Sequence, residues 1–255
     1  TPGHPERGLT PGIEATTGPL GQGVGNAVGM ATTERILSSK FGEDIVNHYT
    51  YVLHGDGDIQ EPVAQGSIAI AGHWGLNKLI AFYDSNEAQI SGKVSRSDST
   101  DYAKMYESHG WHVQEIDGHN HDEIRSAIRI AQMEIEKPSV IIGHTTMAKG
   151  CDSVEDDYNT HGAPLSPEEI YNTKKKLDLD PDKFFDFPTD VIDDFRSSFD
   201  YAKQEVEAWN KRLEEKCKDE IFKCHWNNSK NLSIPDTVEW PAFNSGDTLA
   251  TRKVW

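Results

Sequence analysis

"YTYVLHGDGDIQEPVAQ", residues 49–65, decides the fold. A β-branched and aromatic run ends abruptly in Gly-Asp-Gly, and a helix-like stretch follows from about Pro62 to His73. The run reads as a buried strand whose last residues meet a turn. The same pattern then repeats along the chain. "KLIAFYD" (78–84) is an apolar strand, and "GWHVQEIDG" (110–118) is another. A helix from about His121 to Glu136 leads into the strand "SVIIGHTT" (139–146). Strands alternating with helices of about ten to fifteen residues predict an α/β fold, a parallel β-sheet flanked by helices.

Upstream, residues 1–17 are rich in Gly, Pro and Thr and read as loop. "GPLGQGVGNAVGMATTERILSSKFG" (18–42) predicts a helix entering near Pro19 and ending around Gly42. Its first half carries almost only small residues, which suits close packing against another backbone. The glycines nearly spell GxGxxG, but Asn26 takes the final position and no clear strand precedes it, so a dinucleotide site is not predicted. Downstream, residues 177–195 read as an acidic, irregular connector. Phe199, Ala202, Val206, Trp209, Leu213, Cys217 and Ile221 then recur every three or four positions, the stripe of an amphipathic helix with a packed face. Three segments follow: a domain over 1–176, a connector and helix packed on it over 177–230, and a linker over 231–255.

Bulk properties narrow the function. Lys and Arg number 25 against 42 Asp and Glu, a net charge of -17, which argues against a nucleic-acid binder. The sequence has no apolar run of membrane-spanning length, so no membrane partner is expected. Three cysteines, Cys151, Cys217 and Cys224, are too scattered for a disulfide framework, and a reducing cytoplasm fits best. An anionic ligand would have to be held locally, by a metal and backbone N–H groups, against this mean charge.

The Gly-Asp-Gly turn offers such a place. In an open parallel sheet, ligands gather where strands end at their carboxyl side. Asp56 stands at one such end, and Asp84, Ser85 and Asn86 stand at the next. Asp56 and Asn86 lie thirty positions apart, about one strand-helix-strand unit, so neighbouring strands would aim both at one point. A carboxylate plus a carboxamide oxygen is a donor pair for Mg²⁺ or Ca²⁺, with phosphate and water completing the shell. Gly55 and Gly57 would let the backbone approach a phosphate, and a helix starting after Gly57 would direct N–H groups at it.

Gly-Asp-Gly followed by "DSN" at a second strand end resembles the thiamine diphosphate-binding motif. Five other stretches carry the resemblance further: "TPGHPE" (1–6), "TTGPLGQGVGNAVGMA" (16–31), "IAGHWGLNKLIAFYDSN" (70–86), "IDGHNHDEI" (116–124) and "THGAPLSPEEI" (160–170). With "DGDIQE" (56–61), they resemble transketolase in the same order, over residues 1 to about 176. The resemblance implies transfer of a two-carbon ketol unit between sugar phosphates of the pentose phosphate pathway, with thiamine diphosphate and Mg²⁺. Dihydroxyacetone synthase and deoxyxylulose-phosphate synthase are related alternatives, the second disfavoured by "PGHPE" and "THGAPL". A cofactor-binding module without catalysis is a third reading.

Residue by residue, the resemblance implies Asp56, Asn86 and the Ala88 carbonyl as metal ligands, with Gly57 donating its N–H to the diphosphate. Gly18, Pro19 and Leu20 would line the cofactor, with Leu20 and Ile90 bracing it. His4 and His161 would reach the diphosphate or the sugar hydroxyls. Glu61 would join a carboxylate relay at the interface of a homodimer, or of a complex with a chain carrying the pyrimidine-binding domain. Where the family often has a second glutamate, this chain has Gly66. The resemblance further implies that this chain is the diphosphate-binding part alone, inactive by itself, with the small-residue stretch at 21–29 facing a partner. His119 and His121 are expected to serve a turn and a helix start rather than a metal, and Lys149 to be a surface lysine.

Overall fold

The computed structural model describes residues 3–90, 92–230, 239–246 and 248. Helix α1 (Gln22–Phe41) leads into strand β1 (Thr50–Gly55), the single turn α2 (Asp56–Ile59) and helix α3 (Pro62–His73). Strand β2 (Leu79–Ser85) then runs into a small hairpin, β3 (Ala88–Gln89) and β4 (Gly92–Lys93). After α4 (Tyr102–Ser108) come β5 (His112–Asp117), α5 (His121–Met133), β6 (Ser139–His144) and α6 (Pro167–Lys176). Helices α7 (Thr189–Lys216) and α8 (Glu220–Lys230) follow. The main sheet has the order β1-β2-β6-β5, and all its pairings are parallel. The expected α/β architecture is therefore present.

The sheet is central because β2 and β6 are buried on both faces, which is why both read as continuous apolar runs. Leu79, Ala81 and Tyr83 point to one side, into a core with Ile59, Ile68, Ala71, Tyr106 and Trp111. Ile80 points to the other side, with Ala127, Ala131 and Ile141. Gly25 lies close under α3, where an added Cβ would sit 3.5 Å from Ser67 Oγ and 3.7 Å from Val63 Cγ2. Val24, Ala27 and Val28 are buried while Asn26 and Gly29 are exposed, so the stretch turns one side into the chain and the other outward.

Other boundaries also differ from expectation. The helix after Gly-Asp-Gly is a single turn that already includes Asp56, and Pro62 starts a separate helix. Helix α4 carries no long apolar stripe; Asp101 starts it by accepting the Lys104 N–H. The acidic connector becomes helical from Thr189, and the amphipathic stretch is two helices. Asp219 breaks it, since its carboxylate accepts the N–H groups of Ile221 and Phe222 and so caps a new helix.

The chain divides into two units, Thr1–Tyr201 and Ala202–Trp255. In the second, Trp209 and Trp226 meet with ring centroids 6.2 Å apart, and Phe222 stacks on Trp226. No residue of α7 or α8 is buried, and Phe199, Val206 and Ile221 are exposed. The stretch expected to be a linker falls largely outside the described residues.

"DGHNHDE" does what a turn and helix start require. Asn120 caps α5, its side chain accepting from Asp122 and Glu123 N–H, while Glu123 accepts from the Asn120 amide and the Asp117 N–H. Asn120→Ala should destabilise the fold by about 1 kcal/mol. Urea unfolding at constant m-value measures this.

Candidate functional site

The register places the site. Gly55 pairs with Asp84 across β1 and β2, so both strands end at one level and the residues beyond them meet. Asp56 is buried at 4% exposure. Its Oδ1 accepts the Tyr83 hydroxyl at 2.5 Å, and its Oδ2 accepts the backbone N–H of Asn86 at 3.1 Å. Burial pushes the Asp56 carboxyl above the usual carboxylate range, opposed by these two donors and the Glu87 N–H. A divalent cation beside it would favour the ionised form in the same way.

Asn86 is oriented as tightly. Its Nδ2 donates to Asp84 Oδ2 at 3.0 Å, and its Oδ1 accepts the Ala88 N–H at 3.0 Å. Asp84 also accepts the Thr145 hydroxyl. Glu87, between Asn86 and Ala88, has φ 58°, a left-handed conformation that costs a non-glycine residue about 1 kcal/mol. That bend reverses the chain into the β3–β4 hairpin, with Val94 N–H on the Glu87 carbonyl. Gln60 ties α2 to the hairpin through Gln89 Oε1 at 3.0 Å.

Asp58 holds the opposite wall. Its two oxygens accept the N–H groups of Gly21 at 2.9 Å and Gly55 at 3.0 Å, fastening the Gly-Asp-Gly turn to the start of α1. Gly21 has φ 75°, and a Cβ there would stand 2.7 Å from the Glu61 Cβ, so only glycine fits. Beneath the site, His54 stacks on Tyr83 with ring centroids 5.1 Å apart, and its Nε2 lies 2.9 Å from the Tyr106 hydroxyl. Burial lowers the His54 pKa to about 4, so the ring is neutral near pH 7.

These parts enclose a cavity of about 460 Å³. Gly18, Leu20, Gly55, Asp56, Gly57, Glu61, Asn86, Ala88, Ile90 and His161 line it, bringing together nearly every residue the sequence nominated. Leu20 packs over Gly57, 3.5 Å from where a Cβ would be, and nothing lies within 4 Å of a Cβ built on Gly55. His4 lies at the rim with its ring against Gly18, whose φ of 137° no side chain there would favour. Pro19 faces a neighbouring hollow between α1 and β1 rather than this cavity. Gly66 is exposed within α3. Lys149 is paired with Glu155 at 2.9 Å.

Among the described residues, no three His, Cys, Asp or Glu side chains gather as a metal cluster. A cation here would rely on the Asp56 carboxylate, the Asn86 amide oxygen and the Ala88 carbonyl, an all-oxygen set that suits a hard ion. Gly55 and Gly57 are half-buried, and the open space where a Gly55 side chain would be gives a diphosphate room beside the cation. The residues present fit both groups. Tyr83, Asp58 and Thr145 escaped the sequence reading; only Asp58, three residues after Gly55, carried a local signal, the spacing of a helix-start cap.

Fold and site together define an α/β cofactor-binding domain with an acidic, glycine-walled cradle at the carboxyl ends of two parallel strands. The family described as transketolase, thiamine diphosphate binding domain, matches residues 1–229, and the chain belongs to that family. It is 38% identical over 261 residues to a transketolase of Geobacillus stearothermophilus, covering 99% of this chain and 39% of that protein. It is 44% identical over 220 residues to transketolase 2 of Xanthobacter flavus, covering 84% of this chain and 31% of that protein. The chain thus spans about a third of the length of these curated relatives. A transketolase structure from Leishmania mexicana superposes with a TM-score of 0.85 at 40% identity, over 89% of this chain and 35% of that one.

Proposed function

We propose that this chain supplies the diphosphate- and cation-binding half of a transketolase site, in an enzyme moving a two-carbon ketol unit from a ketose phosphate to an aldose phosphate. The observation that carries this is the single cavity shared by Asp56, Asn86, Ala88, Gly57 and His161. Thiamine diphosphate, when bound, supplies the nucleophilic carbon and the electron sink for cleaving a ketose beside its carbonyl. Asp56, Asn86 and the Ala88 carbonyl hold Mg²⁺, with Ca²⁺ a possible substitute, and the cation anchors the diphosphate. Gly57 would donate its N–H to the diphosphate, and Leu20 and Ile90 would brace the cofactor. His161 and His4 hold or move protons at the sugar hydroxyls. Glu61, half-buried at the start of α3, faces the partner subunit of a dimer.

A coupled assay with xylulose 5-phosphate and ribose 5-phosphate, with Mg²⁺ and thiamine diphosphate, tests this reading. Turnover by the enzyme that contains this chain should depend on both Mg²⁺ and thiamine diphosphate, at an ordinary rate of about 1–10³ per second. Turnover that persists without either would contradict the reading. In the assembled enzyme, His161→Ala should slow turnover about tenfold. That lies below the ~10²–10⁴ of a sole acid or base, since His4 shares the task. Calorimetric Mg²⁺ affinity should stay unchanged, and its loss would place His161 in the cation shell instead.

A further inference from the structure

Resting on the cofactor cavity proposed above, we infer that Gln60 and Gln89 are positioning residues, a clamp that sets the gap between the Leu20 and Ile90 walls and so the grip on the ring end of the cofactor. Both side chains line the cavity. Gln60 closes the single turn α2, and its Nε2 donates to the Asp56 carbonyl at 3.0 Å and to Gln89 Oε1 at 3.0 Å. Gln89, in β3, turns its own Nε2 to Ser97 Oγ at 2.7 Å. A carboxamide nitrogen carries two donors, so Gln60 uses both in this link. Turned over, its amide would set an oxygen against two acceptor oxygens, which fixes the arrangement.

The link joins both walls to one element. Leu20 leans on Gly57 of α2, 3.5 Å from where a Cβ would be. Ile90 follows Gln89 in the hairpin, and its side chain is 84% exposed, so no packing of its own holds it in place. The base of the hairpin is fastened separately, by the Ala88 N–H on Asn86 Oδ1 and the Val94 N–H on the Glu87 carbonyl. Gln60 to Gln89 is the tie beside the tip. Cutting it should free the Ile90 wall while the diphosphate end, at Asp56 and Gly57, stays as built.

Methionine matches the unbranched length of glutamine and removes its amide, so Gln60→Met, Gln89→Met and the double variant test the clamp. Calorimetry on the enzyme that contains this chain, with saturating Mg²⁺, would measure thiamine diphosphate directly and inorganic diphosphate by competition. The thiamine diphosphate dissociation constant should rise about fivefold in each single variant, the scale of one or two neutral hydrogen bonds. The double variant should be no worse than Gln60→Met alone, because either change already breaks the shared link. Inorganic diphosphate, which has no ring to meet Ile90, should bind within about twofold of the parent. Gln89 is half-buried on a two-residue strand, so its variant leaves the core untouched and carries the test if Gln60→Met fails to fold. Unchanged thiamine diphosphate affinity, equal weakening of both ligands, or effects that multiply in the double variant would overturn the clamp while the site stands. Mg²⁺-dependent cofactor binding that survives Asp56→Asn would instead overturn the site assignment, and this inference with it.

Discussion

Asp56→Asn should abolish Mg²⁺-dependent binding of thiamine diphosphate while leaving the fold intact. The substitution keeps the shape of the side chain and one oxygen to accept the Tyr83 hydroxyl, while its amide nitrogen takes the place of the oxygen that accepts the Asn86 N–H. It removes the one negative charge among the proposed ligands of a doubly charged ion. Losing outer-shell partners of a metal already costs about 10–100-fold in affinity, so losing the charged ligand itself should cost more than ~100-fold. Without the cofactor two effects oppose each other, relief from burying the ionised Asp56 and loss of the acceptor for the Asn86 N–H, so stability should change by no more than about 1–3 kcal/mol. Calorimetry with Mg²⁺ and thiamine diphosphate reads the first effect, and urea unfolding reads the second. Unchanged cofactor affinity would remove Asp56 from the cation shell.

Gly72→Ala should unfold or nearly unfold the domain. Gly72 sits in the last turn of α3, where a Cβ would overlap the carbonyl oxygen of His109 and stand 3.1 Å from the Trp111 ring. That loop is pinned, because the Trp111 indole N–H donates to the Ile68 carbonyl at 2.9 Å on the same helix. Two effects of opposite sign compete. Alanine favours a helix interior by about 1 kcal/mol over glycine. Overpacking costs about 1–3 kcal/mol when side chains can adjust, and here the obstacle is backbone. The overlap wins, and we expect a loss of about 3 kcal/mol or more, a large share of the ~5–15 kcal/mol that holds a domain together. An equal or raised urea midpoint would mean that α3 and the His109 loop are not this close.

The strands were legible because β2 and β6 are buried on both faces, so "LIAFY" and "VIIG" are near-continuous runs without a charged residue. The placement of Asp56 beside Asn86 was legible for the same reason: parallel strands of similar length put their carboxyl ends level. What the sequence concealed is short or tertiary. The one-turn helix at Asp56–Ile59 has no room for a periodic pattern. Helix α4 is seven residues long. The break at Asp219 depends on one carboxylate choosing the backbone over solvent, while the apolar stripe runs on across it. Tyr83 looked like any core aromatic, and only the register shows its hydroxyl on Asp56. Thr145 lies 61 positions from the Asp84 it touches, beyond the reach of local spacing.

The central claim is that one divalent cation sits between the ends of β1 and β2 and anchors the diphosphate. Crystals of the chain grown with thiamine diphosphate and Mn²⁺ in place of Mg²⁺ would test it most directly through the anomalous signal of the metal. The account predicts a single strong peak within about 2.0–2.6 Å of an Asp56 carboxylate oxygen, Asn86 Oδ1 and the Ala88 carbonyl. A bound cofactor with the metal peak elsewhere, or with no metal at these three oxygens, would contradict it.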